Sequence, residues 1–350
     1  MTVMQPLVVI VGAGVAGLTC ARELTRRGVS NVVLEGAPRI GGRCASLEFD
    51  GQPVDHGIPF LHAESREFAL ELDALGDDGK LRGWPLRVHS RRPGLTPAGL
   101  RGQRRMARRA GVAEFPAGLA RAADIRVSSE VVALAPAGER TQITLADGTS
   151  IEAPFVVIAT ALDDALRLVE PVVAEWPGAA AHLAGIRALR WVPTLTLVAR
   201  YPGDVPDPGF DLWHPISTAV LHAVVNDSAK RPDPGRRTLV FHGRESFSRD
   251  YLLRDRDEWA SEMLWEAGQL LGGWAARPVA FHGHAWSCAR LRPGYTMGEV
   301  VTFESPRGAC VSLCGDAFAA QTGLEGAFMS GIALGEQIAT LPRVREIVRT

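Results

Sequence analysis

The sequence predicts an α/β protein with two lobes: a parallel-sheet nucleotide-binding lobe drawn from both chain ends, and a second lobe of mixed β-sheet plus helices. Three observations predict it. A strand, glycine turn, helix and second strand open the chain at Val8 to Glu35. A second cradle of small residues closes it at Gly315 to Gly331. Between them lie apolar β-branched runs and two long helical patterns.

The opening unit carries most of the information. Val8 to Val11 is a short β-branched run of the kind buried in parallel sheets. Gly12-Ala13-Gly14-Val15-Ala16-Gly17 follows as a G-x-G-x-x-G turn, and a helix is expected from about Ala16 to Arg27. Gly12 allows the turn, Gly14 lets backbone approach a pyrophosphate, and Gly17 lets helix pack on strand. The helix N-terminus turns unpaired N–H groups towards phosphate. Glu35 ends the second strand, Asn31 to Leu34. Its carboxylate suits ribose hydroxyls and disfavours a 2′-phosphate, so the ligand is FAD or NAD(H). This is a Rossmann-type lobe.

Composition sets limits on function. The 350 residues are 46% hydrophobic and 22% charged, with net charge −1. These values fit a globular domain and give no electrostatic case for nucleic acid or membrane partners. No apolar run is long enough to span a bilayer. The N-terminal apolar run leads straight into the glycine turn, which reads as a strand and not a signal peptide. Cys20, Cys44, Cys288, Cys310 and Cys314 form no C-x-x-C pair. On one strand, Cys310 and Cys314 would lie roughly 13 Å apart, too far to bridge. Reduced, mostly buried thiols in a cytoplasmic protein are expected. Lys80 and Lys230 are the only lysines.

Past Glu35, Ile40-Gly41-Gly42-Arg43 pairs two glycines with a cation. Backbone close to a ligand, with Arg43 for its phosphates, is one reading; a surface turn is the other. Asp50-Gly51 signals a hairpin, and Asp55-His56-Gly57-Ile58-Pro59-Phe60 follows. Nine arginines lie between Leu81 and Arg109. Lacking interleaved aromatics, they read as a solvated loop-and-helix face, with one or two available for an anionic substrate. Strands are expected at Ile125 to Leu134, Gln142 to Leu145, Ser150 to Glu152 and Phe155 to Ala159. One or two helices are expected over Asp163 to Leu183, then strands at Thr194 to Tyr201, Val220 to Val225 and Thr238 to His242. Asn226 to Arg237 reads as turn material. A helix over Arg254 to Leu271 and a strand around His282 to Cys288 complete this region. His282 and His284 share a strand face, but no third metal ligand is evident and no metal is expected. Leu313 to Phe318 ends a strand, and Thr322 to Gly331 opens a final helix whose small residues make another anion cradle.

GAGVAGL, the acid, RIGGR and DHGIPF together resemble the N-terminal half of the flavin amine oxidase superfamily. The resemblance implies FAD, bound non-covalently because no cysteine has the context of covalent attachment. It puts Gly12, Ala13, Gly14, Ala16, Gly17 and Glu35 on the ADP half, and Gly41, Gly42 and Arg43 by the pyrophosphate and flavin. It runs His56, Gly57, Ile58 and Pro59 along the flavin ring. Val131 would meet adenine, Gly315 and Asp316 the ribityl–phosphate portion, and Glu325, Gly326 and Ala327 the N1–O2 edge. The FAD lobe is then expected at 1–65, 111–161 and 286–350, and the substrate lobe at 66–110 and 162–285.

Within the superfamily, VLHAVVNDSAKRPDPGRRTLVFHG, HAWSCARLRPG and CGDAF…GLEGAFMSGIALGE resemble the renalase-like branch. Pro59, Ser287, Cys288 and Ala317-Phe318 depart from its pattern, which leaves FAD binding intact and opens the question of substrate. Amine oxidases of the superfamily keep a lysine in the strand matched by Thr194 to Tyr201; this strand has Arg200 and no lysine. The resemblance therefore implies hydride transfer from a small molecule, a dihydronicotinamide isomer of NAD(P), to flavin N5, with O₂ as acceptor giving H₂O₂. A second reading is a flavin amine oxidase or desaturase; a third is a non-catalytic FAD-binding regulator. His242, Asn226 and Trp286 are the expected substrate-face residues, each with a plain alternative as core histidine, turn asparagine or core tryptophan. The oligomeric state is open.

Overall fold

A computed structural model describes residues 6–90, 104–232 and 235–349. The chain forms two compact units, each discontinuous: 1–42, 116–190 and 291–350 in the first, 43–115 and 191–290 in the second. Residues 43–65, 111–115 and 286–290 thus cluster with the second unit, and 162–190 with the first.

The first unit is built on a six-stranded sheet. Its order is Val301–Glu304, Cys310–Leu313, Phe155–Ile158, Val8–Val11, Asn31–Leu34 and Ile125–Arg126. All neighbours are parallel except the first pair. Val8–Val11 and Phe155–Ile158 are buried throughout, as central strands covered on both faces must be. Helix Val15–Arg26 packs on the long C-terminal helix Gly323–Thr340. The two approach so closely that a Cβ at Gly331 would lie 2.4 Å from the Ala16 carbonyl oxygen. The chain's two ends therefore share one core. A three-stranded meander, Val131–Ala137, Arg140–Leu145 and Ser150–Ala153, stands beside the main sheet.

The expected single strand over Ile125 to Leu134 is in fact two, in different sheets. Ser128 takes a positive φ of 52°, and the N–H groups of Ser128 and Ser129 donate to Ala37 and Glu35 carbonyls. Those bonds turn the chain out of the parallel sheet before Val131.

The second unit holds a six-stranded sheet ordered Ala280–Leu291, Trp191–Tyr201, Arg237–Gly243, Leu221–Asn226, Leu212–Trp213 and Val88–His89. Side chains alternate between its faces. Leu195, Leu197, Leu239 and Phe241 pack against Trp259 and Met263 of helix Arg256–Leu271. Val198, Val240 and Val225 face the other way, onto Val54, Trp84 and Ala107. The hairpin Ser46–Phe49 and Gln52–Asp55 turns at Asp50 and Gly51, both at positive φ, as a primed two-residue turn requires.

One other expectation needs correcting here. The basic stretch is not a loop-and-helix face: its described parts form strands Lys80–Arg82, Val88–His89 and Arg104–Arg108, and residues 91–103 lie outside the described set. Arg108 is buried and paired with Glu114. The segment after Asn226 is the turn expected, and its polar residues are buried: Asp227–Lys230 is a 3₁₀ turn in which Asp227, Ser228 and Lys230 are buried. Among the described residues no helix is long and apolar enough to cross a membrane.

Candidate functional site

In the first unit the glycine turn has the form that the spacing predicts. Gly12 sits at φ 106°, and a Cβ at Gly17 would lie 2.1 Å from the Gly12 carbonyl oxygen. Gly14 is different. Its backbone is extended, and a Cβ there would meet nothing within 4 Å. Protein packing does not require that glycine, whereas a ligand pressed against the turn would. Gly41 donates its N–H to the Ala13 carbonyl, and Gly14 and Gly41 bridge in parallel. Gly42 follows at φ 53°, its Cβ position 3.5 Å from Gly14 Cα.

Glu35 is fixed beneath this turn. Oε2 accepts from the Ala13 N–H at 2.7 Å and Oε1 from the Ala37 N–H at 2.9 Å. Each oxygen keeps a further lone pair for a ribose hydroxyl. Val131 is buried one residue past Glu130, whose side chain packs on Gly36. At the other chain end, Gly315 N–H donates to Ser330 Oγ, and Asp316 and Glu325 are buried. Gly326 has no room for a side chain, since a Cβ would lie 2.0 Å from the Gln321 carbonyl oxygen. Ala327 completes the first turn of the 18-residue helix Gly323–Thr340, whose leading N–H groups have no partners within the helix. These features fit a dinucleotide: a bare glycine turn, an anchored ribose acid and a second helix N-terminus.

In the second unit, Arg43 lies over the Trp191 ring at 5.1 Å and donates to the Ala289 carbonyl. Its own carbonyl accepts from Ile58 N–H, and leaves no room for a Cβ at Gly57. That holds the segment His56, Gly57, Ile58, Pro59 in place. His56 is buried against two aromatic residues of the edge strand Ala280–Leu291: its ring is 5.3 Å from those of His284 and Trp286, which are 4.0 Å apart. His242 shares the same sheet face, and Thr196 Oγ1 lies 3.1 Å from its Nδ1 across paired strands. Among the described residues three buried nitrogens on this face have no hydrogen-bond partner: His56 Nδ1, His242 Nε2 and Trp286 Nε1.

The electrostatics are uniform. Burial, reinforced by His284 and His282, lowers the His56 pKa to about 4. Burial, with His56, His214 and Lys230 nearby, lowers that of His242 to about 4. Burial, helped by His282, also lowers His284. All three rings are neutral near pH 7.

His242 and Trp286 therefore come together with His56, but Asn226 does not join them. It lies on the opposite sheet face, where its Nδ2 donates to the Phe210 carbonyl. Strand alternation explains this: Asn226 follows Val225, which faces Val54 and Trp84 with the histidine side. His282 stands on the same strand as His284, and among the described residues no group of three or more His, Cys, Asp or Glu is placed to hold a metal.

The sequence reading missed a buried charge cluster. Lys230 Nζ lies 2.5 Å from Asp55 Oδ2 and 2.7 Å from Asp227 Oδ1, and donates to the Pro59 carbonyl at 3.0 Å. Arg231 pairs with Asp227 at 2.7 Å. Burial alone would raise the Asp55 pKa, but Lys230 and Arg231 outweigh it and hold it below the usual carboxylate value. The scarcity of lysine was the available signal.

Comparison with known proteins identifies the fold and the family. Residues 10–71 match an NAD(P)-binding Rossmann-like domain. Residues 96–338, well over half of the chain, match the family of flavin containing amine oxidoreductases. The chain belongs to that family. FAD is accordingly its cofactor. Pseudooxynicotine dehydrogenase from a Pseudomonas species is 46% identical over 72 residues, 19% of this chain and 14% of that protein. Putrescine oxidase from Kocuria rosea is 39% identical over 75 residues, 21% of this chain and 16% of that one. These matches span under a fifth of either relative's length. Over the whole chain the likeness is structural. A putrescine oxidase bound to putrescine superposes with TM-score 0.64 at 16% identity, covering 97% of this chain and 100% of that one. Cyclohexylamine oxidase from Brevibacterium oxydans gives 0.64 at 17% identity, covering 99% and 100%.

Proposed function

We propose that this flavoprotein is a renalase-like oxidase that removes hydride from a dihydronicotinamide ring, with O₂ as the electron acceptor and H₂O₂ as product. One observation carries the reading: the polar sheet face of the second unit presents neutral, weakly basic imidazoles, and the lysine near it, Lys230, is paired with Asp55 and Asp227. Strand Trp191–Tyr201 contributes Thr196 there. Asp55, next to His56 in the chain, is engaged by Lys230. An imidazole whose pKa is about 4 is a poor acceptor for an amine's proton. A dihydropyridine gains aromaticity as hydride leaves, so it needs orientation and a charge sink, not a base. The unpartnered nitrogens of His56, His242 and Trp286 suit a carboxamide, which both donates and accepts hydrogen bonds.

FAD, when bound, supplies the two-electron acceptor. In this proposal Gly12 to Gly17, Glu35, Gly41, Gly42, Val131, Gly315 and Asp316 hold its nucleotide and ribityl portions. The N–H groups of the Glu325 to Ala327 turn stabilise negative charge that grows on reduction. The second reading, oxidation of an amine or of a biosynthetic intermediate, is favoured by the relatives named for putrescine and pseudooxynicotine. Anaerobic stopped-flow mixing with dihydronicotinamide isomers and with amines tests both. Rapid bleaching of the flavin by the former alone supports the first reading. Bleaching by amines alone overturns it.

A further inference from the structure

Lys230 has no role in the chemistry above, yet its side chain is entirely buried. Its position explains why. The segment Asp55 to Pro59 carries His56 over the sheet face. At one end, Asp55 Oδ1 accepts from Ser46 Oγ at 2.6 Å and from Val112 N–H at 2.9 Å, while the Asp55 N–H donates to Asp227 Oδ1. Lys230 Nζ bonds Asp55 Oδ2 at that end and the Pro59 carbonyl at the other. One ammonium thus closes a five-residue loop, and it also sits 4.9 Å from the Trp84 ring centroid. Arg231 donates to the Arg108 and Arg109 carbonyls, anchoring the cluster to a second strand.

Such a cluster is an expensive way to gain stability. Two carboxylates and two cations leave water, and well-packed apolar residues commonly do as well or better. What the charges add is a single geometry, because each of the four carboxylate oxygens is held by two donors at once.

We propose that Lys230 is a positioning residue: by tying Asp55 to Pro59 it fixes the His56 ring against His284 and Trp286, and so shapes the substrate face. The placement of His56 stands on these contacts alone; its bearing on substrate rests on the function proposed above.

The test uses the full-length, FAD-loaded protein and two variants, Lys230→Met and Lys230→Met/Asp227→Asn. The double variant keeps the cluster's charge balanced. The Trp286 indole N–H signal in a ¹⁵N–¹H spectrum, assigned with Trp286→Phe, reports the neighbouring His56 ring. Nicotinamide serves as the binding probe. The proposal expects both variants to fold, the Trp286 signal to shift, and nicotinamide affinity to fall roughly ten- to a hundredfold. A folded variant with an unmoved Trp286 signal overturns it. So does failure of both variants to fold, which would make Lys230 a stability element only. If the wild type ignores nicotinamide while the Trp286 signal still shifts in the variants, the substrate reading fails and the positioning role stands.

Discussion

Thr196 Oγ1 and His242 Nδ1 lie 3.1 Å apart on paired strands, and the other ring nitrogen of His242 is buried without a partner among the described residues. The hydroxyl orients the imidazole, and the open nitrogen is left for something else. Since burial holds the pKa at about 4, His242 stays neutral across the working range. The rate constant for anaerobic flavin reduction should therefore be flat over roughly pH 5.5 to 9, well above that pKa. His242→Asn should slow reduction by roughly ten- to a hundredfold. A loss near 10⁴-fold, with a sigmoid profile that vanishes in the variant, would make His242 a general base instead.

Gly14 and Gly17 should fail in different ways. A Cβ at Gly17 has no space, so Gly17→Ala should lower the melting temperature, at a cost of about 1–3 kcal/mol. Gly14→Val should leave folding intact, because its extended backbone and open surroundings accept a side chain. It should instead weaken FAD binding tenfold or more. Thermal melts of both variants, set beside FAD titration of the apoproteins, distinguish the two. Equal loss of stability would show that the space above Gly14 is not a ligand's.

Acid should destabilise the fold through its histidines. His56 and His242 are held at about 4, against 6.5 in the unfolded chain. Between those values the unfolded chain binds more protons, so stability is fully present above pH 6.5 and is lost as pH falls towards 4. Each ring contributes at most about 3 kcal/mol, and less jointly because the two repel each other. His242→Gln should flatten the fall in denaturation midpoint between roughly pH 6.5 and 4. An unchanged slope would place the titrating groups elsewhere.

The FAD should come away without covalent cleavage. All five cysteines are buried, and the burial of Cys314 pushes its thiol up to about 12, which suppresses the thiolate. Acid precipitation should leave the yellow colour in the supernatant. Colour retained in the pellet would overturn the expectation.

How much of this was legible in the sequence depended on whether an element declares itself locally. The Gly12 to Gly17 turn, Glu35 and the start of helix Gly323–Thr340 did, because each needs particular residue types at fixed spacing. His242 and Trp286 were readable as a pair only through alternation on strands. Asn226 failed because one residue of register moves a side chain to the other face. The Ile125 to Leu134 break was hidden, since the hydrogen bonds that bend Ser128 come from Glu35 and Ala37, far away in the chain. The Asp55, Asp227, Lys230 and Arg231 cluster looked like ordinary hairpin polarity. Charges read as solvated until long-range packing shows that they are not.

The enclosure of Lys230 also governs how the molecule can be handled. The chain's one other lysine, Lys80, has a side chain only 5% accessible and bonded to Asp73. Acylating reagents that label proteins at their side-chain amines will find almost nothing to react with while the fold is intact. Both sites open together only when it is lost. Acylation of Lys80 and Lys230, located by peptide mass, is thus a direct readout of unfolding, and immobilisation or dye coupling of the native protein cannot rely on lysine.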